Sequence, residues 1–113
     1  LYALPSLSEG FGIPGLEAMS YGLPVVSSDA TCMPEVFGDA AVYFDGRKDA
    51  DIARAISEVL DDPRKQAELI KHGAACVKRY SWRKSAEAVL TGYDQALKQK
   101  QKSDPIRRLL GRS

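Results

Sequence analysis

Two glutamates stand on either side of a glycine-rich segment near the start of the sequence, and their spacing suggests binding chemistry. Glu9 and Glu17 are separated by seven residues in the stretch EGFGIPGLEAMSYGLPVV, which ends at Val26. A carboxylate accepts two strong hydrogen bonds, so it can hold a pair of neighbouring hydroxyls. The glycines between the two acids let the backbone approach a ligand closely. The arrangement therefore suits a ligand with hydroxyl-rich rings beside an anionic group.

The elements predicted around the two glutamates place them at a ligand-binding edge. Residues 1–7 are an apolar run that predicts a strand, and residues 8–12 form a glycine loop. Pro14 suits the first turn of a helix, which Gly22 and Pro24 end. In open α/β sheets, ligands bind outside the carboxyl ends of the strands. The free N–H groups at the start of the following helix favour a phosphate there.

If phosphates bind at the start of the helix, each of the two glutamates would bind a different sugar ring. Glu17 lies about one turn into the helix, where a ribose diol would sit. Glu9, on the loop, is placed to reach a second polyol ring on the far side of the phosphates. A simpler interpretation is also open: a Glu near a helix start is favourable through the helix dipole, and a loop Glu beside glycine is commonly solvated.

The rest of the chain predicts two more strands and a run of helices. Residues 25–27 and 41–44 are short apolar strands, and a single helical turn at Pro34 separates them. Strands that alternate with helices predict an α/β fold with a parallel sheet. Because so small a sheet leaves an open edge, we expect the chain to be part of a larger doubly wound domain. Three helices follow, and the residues predicted to cap them are Asp49 or Asp51, Asp62 and Ser81.

The sequence changes character after Leu97, where the helical period of the last predicted helix ends. The segment KQKQKSD predicts a polar linker, and IRRLLGRS predicts one basic, amphipathic turn. We therefore divide the chain into a domain over residues 1–97 and a polar, basic tail over residues 98–113. A frayed terminus is the default for this tail, and weak peripheral contact with the inner membrane face is the alternative. The last predicted helix places these residues on one face: Trp82, Ala86, Leu90, Tyr93 and Leu97.

The charges are unevenly distributed along the chain. Residues 1–62 contain three basic and eleven acidic residues, whereas residues 63–113 contain thirteen basic and four acidic ones. Such a basic half can meet an anionic partner, or the two halves can complement each other. The basic residues lie on predicted helix faces without interleaved aromatic residues. We therefore predict a solvated face and no nucleic-acid binding.

The cysteines and the single histidine favour neither a disulfide framework nor a metal site. Cys32 and Cys76 form no CxxC pair, which predicts a reducing, cytoplasmic setting. His72 is the only histidine, and we interpret it as a surface residue. No apolar run approaches the about 20 residues that a membrane-spanning helix needs.

The string around the glutamates resembles the donor-site signature of retaining glycosyltransferases of the GT-B fold, in particular family 4. The hallmark of that family is two glutamates separated by seven residues in the setting EGFGxPxLEAMxxGxPVV. This sequence matches every defined position of that setting. Residues 34–45, PEVFGDAAVYFD, also resemble the segment that follows in the family, and the helices up to about Leu97 match it less specifically.

The resemblance implies a fold and a reaction. The chain would be the second half of a Rossmann-like doubly wound parallel-sheet donor-binding domain, the GT-B C-terminal domain, followed by C-terminal helices. Residues 1–97 would form this partial nucleotide-sugar-binding domain. The reaction would move a glycosyl group from a nucleotide-diphosphate sugar to an acceptor with retention of the anomeric configuration. The nucleotide sugar is a substrate, and the family generally needs no metal or other cofactor.

The resemblance also implies roles for single residues. Glu9 would bind hydroxyls of the donor sugar and act as the catalytic residue that stabilises the positive charge developing on the sugar. Glu17 would hold the ribose hydroxyls. The remaining contacts would be the amides of Gly10, Phe11 and Gly12 to the sugar and the amide of Leu16 to the diphosphate.

This sequence does not contain every part of the family's site. Family members have an N-terminal acceptor domain and, in the first half of the donor domain, an Arg and a Lys for the diphosphate. Here no Arg or Lys precedes Arg47. We therefore expect the remaining N-terminal part of the enzyme to be a partner, and the isolated chain to be inactive. The alternative is a non-catalytic α/β nucleotide-binding or partner-binding module, and the sequence preceding Leu1 would discriminate between the two.

Overall fold

The computed structural model describes residues 1–103, 106 and 109–111, which belong to two compact units. The first unit, Leu1–Arg79, contains the sheet and four helices, and the second, Tyr80–Ser113, contains one long helix. Within the described residues, no helix has the length and apolar character needed to cross a membrane.

A three-stranded parallel sheet organises the first unit. Its strands are β1 (Tyr2–Leu4), β2 (Val25–Ser28) and β3 (Ala41–Phe44), and they lie side by side in that order. β2 pairs in parallel with both neighbours. All four residues of β2 are buried, because the central strand of a parallel sheet is covered on both faces. The predicted α/β fold with a parallel sheet is confirmed.

Helices provide the crossovers that parallel strands require. α1 (Ile13–Ser20) connects β1 to β2, and α2 (Met33–Phe37) with a short 3₁₀ turn (Gly38–Ala40) connects β2 to β3. α3 (Asp49–Leu60) and α4 (Pro63–Lys78) follow β3. The predicted single helical turn at Pro34 is therefore α2 followed by a 3₁₀ turn.

A cluster of apolar side chains joins the sheet to α3 and α4. On α3, Ala55 and Val59 are fully buried, whereas Leu60 at the end of the helix is 55% exposed. On α4 the buried residues are Leu69, Gly73 and Cys76. A Cβ at Gly73 would lie 3.1 Å from Cγ of Met19, so α4 packs closely on α1 through a residue without a side chain. The cluster consists of Val26, Val42, Phe44, Ala55, Val59 and Leu69, with Ile52 and Ile56 packed against it.

Two of the three predicted helix caps are confirmed. The Asp62 carboxylate accepts hydrogen bonds from the amides of Arg64 (3.0 Å) and Lys65 (3.2 Å) at the start of α4. The Ser81 hydroxyl accepts a hydrogen bond from the Lys84 amide at 3.0 Å, immediately before the long helix. Both contacts satisfy amide groups that have no partner within the helix.

The predicted cap of α3 is wrong, because the residue before this helix is Lys48. Asp51 lies within the first turn instead and accepts a hydrogen bond from the Asp45 amide at 2.7 Å. Arg54 donates to Asp51 (2.7 Å) and to the carbonyl oxygen of Tyr43 (2.9 Å). The hydrogen bond from Arg54, followed by the one from the Asp45 amide, lowers the pKa of Asp51. These contacts tie the start of α3 to the end of β3.

The second unit consists of α5 (Trp82–Ser103) and the residues around it. This helix continues through residues 98–103 of the segment predicted to be a polar linker, because Lys and Gln are good helix formers. The apolar face predicted on α5 is exposed: Trp82 is 81% exposed and Tyr93 is 66% exposed. Residues 104, 105, 107, 108, 112 and 113, which include all three arginines of the predicted basic turn, lie outside the described residues.

Tyr43 ties β3 to the turn that precedes it. Its hydroxyl donates a hydrogen bond to the carbonyl oxygen of Gly38 at 2.6 Å, and its ring is half-buried. Burial, with smaller contributions from Cys76 and Asp39, raises the pKa of Tyr43 to about 12. The hydroxyl therefore stays protonated at pH values where an exposed tyrosine is ionised.

This raised pKa predicts a dependence of stability on alkaline pH. Between about pH 10 and pH 12 the unfolded chain loses the Tyr43 proton while the folded chain keeps it. The contribution of Tyr43 to the free energy of unfolding is therefore complete below pH 10 and falls as the pH rises through this window. We expect Tyr43→Phe to make this fall shallower in urea unfolding followed by circular dichroism. An equally steep fall in the variant would contradict the assignment.

Candidate functional site

The loop between β1 and α1 lies at the carboxyl end of β1, the edge of a parallel sheet where ligands bind. Gly12 ends this loop in a left-handed conformation (φ 84°, ψ 35°), which glycine adopts without steric cost. Its carbonyl oxygen accepts a hydrogen bond from the Gly15 amide at 3.0 Å, and this contact begins α1. The chain thus turns sharply from the strand into the helix.

The ring of Phe37, at the end of α2, packs against the start of α1. A Cβ at Gly12 would lie 3.0 Å from Cζ of this ring, and a Cβ at Gly15 would overlap Cζ and lie 3.0 Å from Cε1. Phe37 is fully buried. The two glycines therefore allow an approach that no larger residue permits. Sequence reasoning missed Gly15, although a glycine inside a short helix is itself a signal of close packing.

We expect Gly15→Ala to destabilise the protein. Displacing the Phe37 ring costs about 1–3 kcal/mol, and the better helix propensity of alanine offsets only about 1 kcal/mol of this. The free energy of unfolding in urea should fall by up to about 2 kcal/mol.

Two further variants test this explanation. Gly10→Ala, which has nothing within 4 Å of the added Cβ, should change the free energy of unfolding by less than about 0.5 kcal/mol. Phe37→Leu should lower the free energy of unfolding less in the Gly15→Ala background than in the wild type, because the smaller side chain relieves the clash with the added Cβ. Equal costs in both backgrounds would show that the ring is not the obstacle.

The Glu9 side chain is oriented by a neighbour in its own loop. The Ser6 hydroxyl donates a hydrogen bond to Oε1 of Glu9 at 2.8 Å, and Glu9 is half-buried. The Ser6 carbonyl oxygen in turn accepts a hydrogen bond from the hydroxyl of Ser28, a fully buried residue at the end of β2. The second Glu9 oxygen can therefore bind a ligand while the first is held in place.

The backbone of Glu9 is held by the connection between β2 and α2. The Glu9 amide donates a hydrogen bond to Oγ1 of Thr31 at 3.2 Å, and the Thr31 hydroxyl lies at the same distance from the Glu9 carbonyl oxygen, to which it donates. The Cys32 thiol donates to that carbonyl oxygen at 3.5 Å. Sequence reasoning missed Thr31 because it is 22 residues from Glu9 along the chain.

Glu17 occupies a different part of the site. It is the fifth residue of α1 and lies about 6 Å along the helix axis from Ile13, with its side chain exposed. Its carbonyl oxygen accepts a hydrogen bond from the Ser20 hydroxyl at 2.6 Å. The two glutamates are thus carried by separate elements, the loop and the helix, with the start of α1 between them.

The other residues predicted for the site border the same turn. Gly10 is exposed, and Phe11 is 39% exposed. The Leu16 amide points along α1 toward the Gly12 carbonyl oxygen at 3.4 Å, a long hydrogen bond whose donor a phosphate oxygen would share. The assigned roles of these residues stay predictions.

His72, the one histidine of the sequence, lies on α4 beside Asp39. Among the residues that the structure describes, no three His, Cys, Asp or Glu side chains are grouped to hold a metal ion. The His72 ring nitrogen Nδ1 lies 3.3 Å from the carbonyl oxygen of Asp39 and 3.7 Å from its carboxylate oxygen Oδ2.

Comparison with known protein families identifies the class of this chain. The family described as Glycosyl transferases group 1 matches residues 1–76, which include the loop, α1 and the whole sheet. The chain therefore belongs to the group 1 glycosyl transferases, and the predicted membership is confirmed.

Several curated proteins resemble most of this chain. The serotype-specific mannosyltransferase WbdA of Escherichia coli is 36% identical over 104 residues, which are 92% of this chain and 13% of that protein. The O-antigen chain mannosyltransferase B of Escherichia coli is 38% identical over 92 residues, or 81% of this chain and 24% of that protein. A D-inositol 3-phosphate glycosyltransferase of Mycolicibacterium smegmatis is 36% identical over 86% of this chain and 22% of that protein. The chain thus spans less than a quarter of the length of each relative.

A solved structure confirms the fold class. Sucrose-phosphate synthase from Thermosynechococcus elongatus superimposes with a TM-score of 0.75 and 26% sequence identity, over 86% of this chain and 25% of that one. The chain therefore has the fold of part of a GT-B donor-binding domain, the Rossmann-like class that the sequence predicts.

Proposed function

We propose that the protein containing this chain transfers a glycosyl group from a nucleotide-diphosphate sugar to an acceptor, and that this chain supplies part of the donor site. The observation that carries the proposal is the loop that holds Glu9 directly before the start of α1, in a member of the group 1 glycosyl transferases. The family membership favours this enzyme over the non-catalytic alternative. A continuous reading frame upstream of Leu1 with an Arg and a Lys for the diphosphate would support the same choice.

The proposed site holds the donor in three parts. The start of α1 carries the positive end of the helix dipole and binds the diphosphate, with the Leu16 amide as one donor. The Glu17 carboxylate accepts hydrogen bonds from the ribose hydroxyls. The Glu9 carboxylate and the backbone of residues 10–12 bind the donor sugar. Two observations support this arrangement. The elements follow one another in this order along the turn, and the Ser6 hydroxyl occupies only Oε1 of the Glu9 carboxylate, which leaves Oε2 for a ligand.

The proposed chemistry uses charge stabilisation by positioned groups. The bond between the anomeric carbon and the diphosphate breaks, and positive charge develops on the sugar. The Glu9 carboxylate stabilises this charge, while the helix start and cationic residues outside this chain stabilise the leaving diphosphate. Retention of configuration is proposed from the resemblance to retaining enzymes, and a product anomer opposite to that of the donor, observed by NMR, would contradict it.

The relatives suggest which donors to test first. Because two Escherichia coli relatives are named mannosyltransferases, we propose a mannosyl donor as the first candidate. Thermal-shift screening of GDP-, UDP- and ADP-sugars against the complete protein would identify the nucleotide and the sugar. The isolated chain lacks the proposed cations and acceptor domain, so we expect it to show no transfer.

We expect substitutions of the two glutamates to affect different steps in the complete protein. Glu17→Ala should weaken the affinity for the nucleoside diphosphate about tenfold or more, because the ribose diol loses its charged hydrogen-bond acceptor. Glu9→Ala should lower the turnover number about 100-fold or more and change the affinity for the nucleoside diphosphate less than twofold. The measurements are calorimetric titration and donor turnover.

A matched control accompanies these variants. Glu68→Ala removes an exposed carboxylate from α4 and should leave both quantities within twofold of the wild type. An unchanged nucleotide affinity in Glu17→Ala would contradict the ribose role. A wild-type turnover number in Glu9→Ala would contradict the donor-sugar role.

We also propose weak contact of the basic tail with anionic membranes. Deleting residues 107–113 removes three arginines and should reduce cosedimentation of the complete protein with vesicles containing anionic lipid. Neutral vesicles provide the control. Equal binding of anionic vesicles by the complete protein and by the truncated protein would contradict this role of the tail.

A further inference from the structure

Thr31 has a backbone conformation that its residue type disfavours. Its φ is 51°, and it is the one non-glycine residue with positive φ among those that the structure describes. A branched Cβ clashes with the backbone in this region, so a threonine here needs compensating contacts. Such residues persist where the surroundings over-determine them, and they cluster at functional sites. The contacts of Thr31 therefore indicate what this conformation achieves.

Those contacts hold Glu9 at both of its backbone polar groups, one in each of the two peptide groups that flank its Cα. Oγ1 of Thr31 accepts a hydrogen bond from the Glu9 amide, and its proton is donated to the Glu9 carbonyl oxygen, each at 3.2 Å. A hydroxyl is the smallest side-chain group that is both donor and acceptor, so one atom fixes the residue in two directions. The Cys32 thiol adds a weaker contact to the same carbonyl oxygen at 3.5 Å.

We propose that Thr31 is a positioning residue for Glu9: it holds the backbone of Glu9 so that the carboxylate meets the donor sugar. This inference rests on the proposed function. The positive φ directs the hydroxyl of Thr31 back toward the β1–α1 loop, and the two hydrogen bonds offset the cost of that conformation. Thr31 lies outside the EGFG string, in the connection between β2 and α2.

A second line of contacts supports the same interpretation. Ser28 at the end of β2 donates to the Ser6 carbonyl oxygen, and Ser6 donates to the Glu9 carboxylate. The side chain of Glu9 is therefore fixed through Ser6 and its backbone through Thr31. Both lines begin at the carboxyl end of the buried central strand, one at its last residue, Ser28, and the other in the segment that follows it. Loss of Thr31 should misplace a carboxylate that the other line still orients.

The test uses the complete protein and three variants of one position. Thr31→Val keeps the shape and removes the hydroxyl, Thr31→Ser keeps the hydroxyl, and Thr31→Gly removes both the hydroxyl and the backbone strain. The glycine variant remains informative if the valine variant does not fold. The probes are the GDP-, UDP- or ADP-sugar that raises the melting temperature most and its own nucleoside diphosphate. The rate measured is the release of the nucleoside diphosphate from that donor.

We expect the rate to fall about tenfold in Thr31→Val and Thr31→Gly, as the loss of two hydrogen bonds implies, and to stay within threefold of the wild type in Thr31→Ser. The dissociation constant of the nucleoside diphosphate should change less than twofold in all three. A role in folding alone would not separate the rate from this dissociation constant. Thr91→Val, which removes a hydroxyl from α5, is the matched control and should change neither quantity.

A double-mutant cycle with Glu9→Gln separates this inference from the proposed function. If Thr31 acts through Glu9, Thr31→Gly should lower the rate less than twofold further in the Glu9→Gln background. A tenfold loss in both backgrounds would overturn the positioning role. Wild-type rates in Thr31→Val and Thr31→Gly, with a reduced rate in Glu9→Gln, would overturn it while the proposed function stands. A wild-type rate in Glu9→Gln, or no stabilising donor at all, would instead contradict the proposed function.

Discussion

The close packing of the Phe37 ring against the start of α1 is the contact on which the geometry of the site depends. It requires glycine at positions 12 and 15, because a Cβ at either would meet the ring. The same contact fixes the direction of α1 relative to the sheet edge, since Phe37 is fully buried beneath it. This packing against the core therefore fixes the start of α1 and the loop that precedes it, and with them the positions of the two glutamates.

The connection between β2 and α2 holds the loop from its other side. Thr31 and Cys32 contact the backbone of Glu9, while Ser28 acts on its carboxylate through Ser6. The backbone of the loop is thus held at Glu9 by residues more than 20 positions away along the chain. Neighbouring strand ends of a parallel sheet lie at one edge, which explains how segments distant in sequence support a single carboxylate. Binding groups and their supports thus come from two successive βα units.

The sheet, the β1–α1 turn and the family could be predicted from the sequence, because apolar runs, glycines and helix caps depend on residues that are close along the chain. Asp62 and Ser81 cap their helices as expected, since capping needs only a few neighbouring residues. The predicted cap of α3 was wrong because the Asp51 carboxylate accepts hydrogen bonds from the Asp45 amide and from Arg54. Gly15 and Thr31 were missed because their roles arise from Phe37 and Glu9, which are distant in sequence, and no local pattern encodes such contacts. The α5 face is exposed in the described residues, although its helical spacing was predicted.

We propose that the β1–α1 loop binds the sugar of a nucleotide sugar and that the start of α1 binds its phosphates. Hydrogen–deuterium exchange of the complete protein tests this directly, with the nucleoside diphosphate and the nucleotide sugar compared at saturation. We expect the diphosphate alone to protect residues 13–17 from exchange, and residues 9–12 to gain protection only when the sugar is present. Unchanged exchange over residues 9–17 with both ligands bound, and protection elsewhere, would contradict it.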